Sequence, residues 1–204
     1  MLYTASLAFG DETIAKIIHF SFGILSLIAL YSLSRKFFSK MGSLLTILIF
    51  YSNLVVGWES ITAYVDLART FFEIMALWGF INWWETKDKK WFIESAVMLG
   101  LAISTKLVAA GSLVIFSALI GLYCYKRRKP IKDFFIGLFT YWFISLLIPL
   151  PWFVFSFIHT GNPIYPFLTN LYRANLDLSL INPLRFINEL WNIKDTQIIK
   201  IMII

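Results

Sequence analysis

The chain has 204 residues, of which 59% are hydrophobic, 18% aromatic and only 15% charged, and its mean hydropathy is +0.74. A soluble domain of this size could not cover so much apolar surface with polar side chains, which excludes a water-soluble fold. The net charge of +6 does not point to nucleic acid, because Lys and Arg fall in short clusters between apolar runs and not along one polar face.

In chain order the apolar runs cover residues 14–34, 44–58, 61–84, 92–105, 107–125 and 134–157. A straight helix needs about 20 apolar residues to cross the hydrocarbon core, so the first, third, fifth and sixth runs are long enough and the second and fourth are short. Each short run is separated from a longer one only by Glu59 and Ser60, or by Lys106, and reads as a tilted or half-buried helix. Alternatively, 92–125 is one long kinked helix, which would reverse everything after it. The predicted fold is all-α: a polytopic transmembrane bundle of about six membrane helices over 1–157. An irregular extracytoplasmic loop and a short interfacial helix follow over 158–204.

Loop charges favour six crossings. Arg35, Lys36 and Lys40 lie in the first connection, Lys87, Lys89 and Lys90 in the third, and Lys126, Arg127, Arg128, Lys129 and Lys132 in the fifth. The second and fourth connections carry only Lys106. Basic residues near helix ends stay cytoplasmic, so odd connections face inward, even connections face outward, and both termini lie outside. Residues 1–13 contain no Lys or Arg but do contain Asp11 and Glu12, unlike a signal peptide, and the last residues, QIIKIMII, stop inside an apolar run. Both ends read as cut from a larger membrane protein, with a short natural gene product as the alternative. The stretch HTGNPIYPFLTN has two prolines and a Gly-Asn turn and reads as an outer-surface loop. Beyond it, Asn182 can cap and Pro183 can begin a helix with Leu184, Ile187, Leu190 and Trp191 on one face.

The third run holds Thr62, Asp66, Arg69 and Glu73 at spacings of four, three and four, one stripe in the outer half of a helix. A charge at membrane depth costs roughly 2.5–3.5 kcal/mol, so such residues face a protein interior or a wet cavity. Arg69 either neutralises Asp66 and Glu73 as a structural cluster, or Asp66 faces a substrate cavity. Lys106 either snorkels to lipid headgroups or contacts an anion such as a lipid phosphate. Glu59 either joins Asp66 at the cavity mouth or is merely solvated. His19, one turn from Lys16, reads as a packing residue, and with His159 and Cys124 as the other candidate ligands no metal site is expected. No phosphate-cradling glycine loop or nucleophile elbow is present, so no cofactor is expected.

Three segments, AYVDLARTFFEIMALW, GLAISTKLVAA and PWFVFSFIHTGNPIYPF, together with the first helix and its RKFF end, resemble polyprenyl-phosphate-sugar-dependent glycosyltransferases of the GT-C architecture. That group contains the protein O-mannosyltransferases and the aminoarabinose transferase of lipid A. The likeness covers residues 1–168. It implies transfer of a sugar from a lipid-phosphate donor to an acceptor on the outer face of the membrane. Key acidic residues of the family sit in a first outer loop that this chain lacks, which implies a truncated enzyme, inactive by itself. Asp66 matches the family's AY-x-D pattern and Lys106 its G-x-x-x-x-TK pattern, so the substrate-binding set expected here is Asp66, Lys106, Glu59 and Arg69. Where relatives read PW-x-x-RN, this chain has Phe155 and Ser156, and loses a phosphate-binding Arg. The readings weighed against a glycosyltransferase are a transporter or flippase, which should show matching halves, and a noncatalytic remnant subunit. Expected partners are the bilayer and the polyprenyl-phosphate sugar, with no nucleic acid. Short loops without N-x-Ser/Thr acceptors favour a prokaryotic plasma membrane.

Overall fold

The computed structural model describes residues 12–62 and 64–169. Among them every regular element is helical: α1 (Glu12–Ser34), α2 (Lys40–Tyr51), α3 (Leu54–Ser60), α4 (Asp66–Thr86), α5 (Lys89–Thr105), a 3-10 turn (Leu107–Gly111), α6 (Ser112–Lys126), α7 (Ile131–Leu147) and α8 (Leu150–Thr160). Several starts are fixed by side-chain caps. Ser39 accepts from the Gly42 amide, Asn53 from Val55 and Asp88 from Lys90, each satisfying a backbone donor that the first helical turn leaves open. The all-α expectation holds.

Packing divides the chain into two compact units, Met1–Trp152 and Phe153–Ile204. Among the described residues, Thr13–Ser34 and Leu107–Lys126 are each long and apolar enough to cross a membrane, and the count rises to four if Lys40–Tyr51 with Leu54–Ser60, and Ile131–Leu147 with Leu150–Thr160, each form one span. The expected six is not reached by length and composition, and the reason lies in two helices. α4 carries Asp66, Arg69, Glu73 and Asn82, and α5 has 17 residues. Even so, the 21 residues of α4 measure about 30 Å, the thickness of a hydrocarbon core. Ile49 and Phe139 are each 72% exposed and Val114 67%, apolar faces suited to lipid and not to water.

Three segment boundaries differ from expectation. The second run is not one short helix but α2 and α3, bent by 72° where Asn53 leaves the helix to cap the next turn. The 92–125 alternative of a single kinked helix fails, because Lys106 is fully extended at φ −152° and ψ 119° and a 3-10 turn follows it. The sixth run is interrupted at Ile148 and Pro149, where proline supplies no amide donor to continue the ladder.

The centre of this unit is the α4–α5 hairpin with α7 against it. Ala76, Ala96, Leu99, Ala102 and Tyr141 are completely buried. Small residues let these backbones approach and polar side chains join them, as expected where lipid offers no hydrophobic drive for helix association. Ser95 Oγ donates to the Ala76 carbonyl at 2.7 Å, which leaves it an acceptor for the Tyr141 hydroxyl at 2.9 Å, and Ser145 Oγ donates to the Ala96 carbonyl at 3.0 Å. A methyl group on Gly100 would lie 2.7 Å from both the Ser145 carbonyl oxygen and the Ile148 side chain. Gly100→Ala is therefore expected to push α5 and α7 apart and cost about 1–3 kcal/mol, seen as a lower melting temperature in detergent. Gly57→Ala, with nothing within 4 Å, is the control, and equal melting of the two variants would contradict this packing.

In the second unit, the expected irregular loop is present. Gly161 takes the left-handed φ of +69° that ends α8. Asn162 then organises the turn: its Nδ2 donates to the Phe167 carbonyl at 2.7 Å, its Oδ1 accepts from the Ile164 amide at 3.0 Å, and its carbonyl accepts from Ser156 Oγ at 2.7 Å. The helix expected from Asn182 and the segments 1–11 and 197–204 lie outside the described residues.

Candidate functional site

The tight turn at Lys87 and Asp88 folds α4 and α5 into an antiparallel hairpin, so the residue that opens α4 meets the residue that closes α5. Those residues are Asp66 and Lys106. Lys106 Nζ donates to Asp66 Oδ1 at 2.7 Å. The Lys106 side chain is 40% exposed and that of Asp66 19%, so the pair sits at the rim of the bundle, not sealed in its core.

A second ion pair follows one and two turns deeper along α4. Arg69 Nε lies 3.8 Å from Glu73 Oε2, and Ser112 Oγ, the first residue of α6, donates to Glu73 Oε1 at 2.8 Å. The Arg69 Nε is buried without a hydrogen-bond partner among the described residues. Glu59, in the last turn of α3, stands within range of the charges of Asp66, Lys106 and Arg69. On the other flank, α1 brings fully buried His19 within range of Asp66. Ser26 Oγ donating to the Leu67 carbonyl and Phe22 against Phe71 and Phe72 hold α1 there.

All four residues expected from the sequence are thus drawn into one neighbourhood, with three details changed. Thr62 is not on the α4 stripe: the helix begins at Asp66, and Thr62 Oγ1 bonds the Glu59 carbonyl at 2.9 Å in the preceding turn. Glu59 belongs to a helix and not to an open connection. Asp66 is paired by Lys106, leaving Glu73 to Arg69, so Arg69 does not neutralise both carboxylates and Lys106 does not reach away from the protein. Sequence reading missed Ser112. Its one signal is the Gly-Ser step that starts a helix just after the STKLVAA stretch, and Ser is common at such starts whatever it touches.

Chemically, the cluster combines two cations with three carboxylates on a partly exposed surface. An ammonium held by a carboxylate at 2.7 Å can exchange that partner for another anion without becoming buried and uncompensated. Among the described residues no group of three or more His, Cys, Asp or Glu side chains is placed to hold a metal ion.

A helical bundle with lipid-suited outer faces and a charged cluster where two of its central helices begin and end is an integral membrane protein. Residues 3–155 match the dolichyl-phosphate-mannose-protein mannosyltransferase family, and the chain belongs to this family of GT-C-type membrane glycosyltransferases. No curated protein and no solved structure matched the chain. The matched span contains Glu59, Asp66, Arg69 and Lys106.

Proposed function

We propose that the chain serves transfer of a sugar from a polyprenyl-phosphate donor to an acceptor on the extracytoplasmic face of a prokaryotic plasma membrane. The observation that carries the reading is the Lys106–Asp66 pair at 2.7 Å inside the span that matches the family. In the resting site Asp66 occupies Lys106. When donor arrives, its phosphate takes the ammonium, and Arg69, with its buried Nε, lends a second positive charge one turn deeper. Glu59 and Asp66 keep the cations oriented and confine the pocket to one anion. Six crossings, with the Lys106 end of the hairpin outward and the basic connections inward, complete the topology.

The test combines sidedness with activity. In membranes carrying the protein, a membrane-impermeant maleimide should label Lys106→Cys from outside, in a background with Cys124 replaced. In the complete protein, Asp66→Asn, which keeps shape and removes charge, should lower sugar transfer about tenfold with normal insertion. Labelling from the cytosol alone, or full transfer by Asp66→Asn, would overturn the assignment.

A further inference from the structure

The opposite end of the α4–α5 hairpin from the Asp66–Lys106 pair gathers charge of a different kind. Lys36, just past α1, is bridged to Glu85 in the last turn of α4 at 2.6 Å. Lys126, in the last turn of α6, lies over the Trp84 ring at 5.9 Å. These two contacts bring the three basic connections to one end of the bundle. Eleven Lys and Arg residues stand in these connections against Glu85, Asp88 and Asp133. The acids are already engaged: Glu85 by Lys36, Asp133 by Lys129 at 3.8 Å, and Asp88 by the Lys90 amide. All of the cations except Lys36 are exposed.

Two of them stand where another residue would be easier. Lys87 has φ +62° and Arg128 φ +50°, the left-handed region that favours glycine at helix ends. Arg128 occupies the left-handed position of a full terminating motif, with the Lys129 amide donating to the Cys124 carbonyl at 2.9 Å and the Arg128 amide to the Tyr125 carbonyl at 3.2 Å. Lys87 closes α4 through its amide to the Trp83 carbonyl at 2.8 Å. Around these cations lies a belt of exposed rings: Tyr125 at 83%, Phe37 at 62% and Phe38 at 58%. Aromatic rings of this kind settle at headgroup depth, which sets the neighbouring cations level with lipid phosphates.

We propose that this basic end of the bundle is a docking surface for anionic phospholipid headgroups, with Lys87 and Arg128 among the contacts. Uncompensated exposed cations, an aromatic belt at their level and acids that are already paired together fit a negatively charged bilayer surface. The surface is independent of the Lys106 site, about 30 Å away along α4.

The glycine-favouring backbone makes a clean test, because Lys87→Gly and Arg128→Gly remove charge while suiting the local turn. The whole protein is placed in nanodiscs of phosphatidylcholine with increasing phosphatidylglycerol, and its melting temperature and its retained lipid by native mass spectrometry are followed. Wild type should gain stability and retain phosphatidylglycerol selectively, and the double variant should bind it about 25-fold more weakly, from roughly fivefold per surface cation. Melting in pure phosphatidylcholine should be unchanged or slightly raised, since glycine suits both left-handed positions. The wild-type preference should also collapse between about 0.1 and 1 M salt, where the screening length falls from about 10 to 3 Å. Equal retention of the two lipids by wild type, full retention of phosphatidylglycerol by the double variant, or equal protection by free inorganic phosphate would each overturn the proposal. If the double variant does not insert, Lys89→Gln with Lys90→Gln is read by the same criteria.

Discussion

In the complete protein, Lys106→Ala should lower sugar transfer about 100-fold while leaving insertion and melting almost intact. The size follows from what a single preorganised cation contributes when charge develops on a departing phosphate, once the bound donor has displaced water from the ammonium. The small effect on stability follows from the exposure of the pair: at 40% exposure the ammonium is well solvated, and such a bridge contributes no more than about 1 kcal/mol to folding. Lys106→Arg should recover part of the activity, since charge is kept but the point-like ammonium geometry is not. Transfer rates in membranes, normalised to inserted protein, decide the matter. Wild-type rates in Lys106→Ala would remove this residue from the site, whereas a parallel collapse of melting and rate would make it structural.

The largest stability effect should come from Tyr141→Ala, at about 3–5 kcal/mol. Tyr141 is completely buried, with its ring stacked on Phe116 at 5.3 Å and edge-on to Phe92 and Phe80. Removing the ring leaves a cavity between α4, α5, α6 and α7, and in a membrane the lost packing contacts are most of what held those helices together. Tyr141→Phe keeps the ring and loses only the bond to Ser95, whose own donor remains satisfied at Ala76, so it should cost about 1 kcal/mol. Detergent unfolding of the two variants side by side tests the contrast, and similar midpoints would show that the hydroxyl, not the ring, carries the effect.

How much was legible beforehand varies with the kind of signal. Apolar runs separated by basic clusters carry the all-α membrane fold openly, because lipid forbids unsatisfied backbone and so leaves a long apolar segment little choice but helix. The breaks were harder to see. Asn53 and Pro149 lie in stretches whose hydropathy continues past them, and a hydropathy pattern sums composition without following the amide donors that a cap or a proline withdraws. The stripe of Asp66, Arg69 and Glu73 was visible as three residues on one helix face, but nothing in the spacing said which cation would serve which carboxylate.

The amino-acid order by itself determined that the chain lives in a bilayer, that it is helical, that its basic connections alternate, and that Asp66 and Lys106 are out of place in so apolar a setting. Tertiary structure alone decided that these two meet at 2.7 Å, that Ser112 secures Glu73, and that Lys36 on Glu85 and Lys126 over Trp84 tie the basic connections to their neighbours. The physical reason is range. Periodicity and hydropathy act over one or two helical turns, whereas Asp66 and Lys106 are 40 residues apart, and Glu73 and Ser112 are 39. Contacts at that separation depend on which helices pack together and where each one starts and stops.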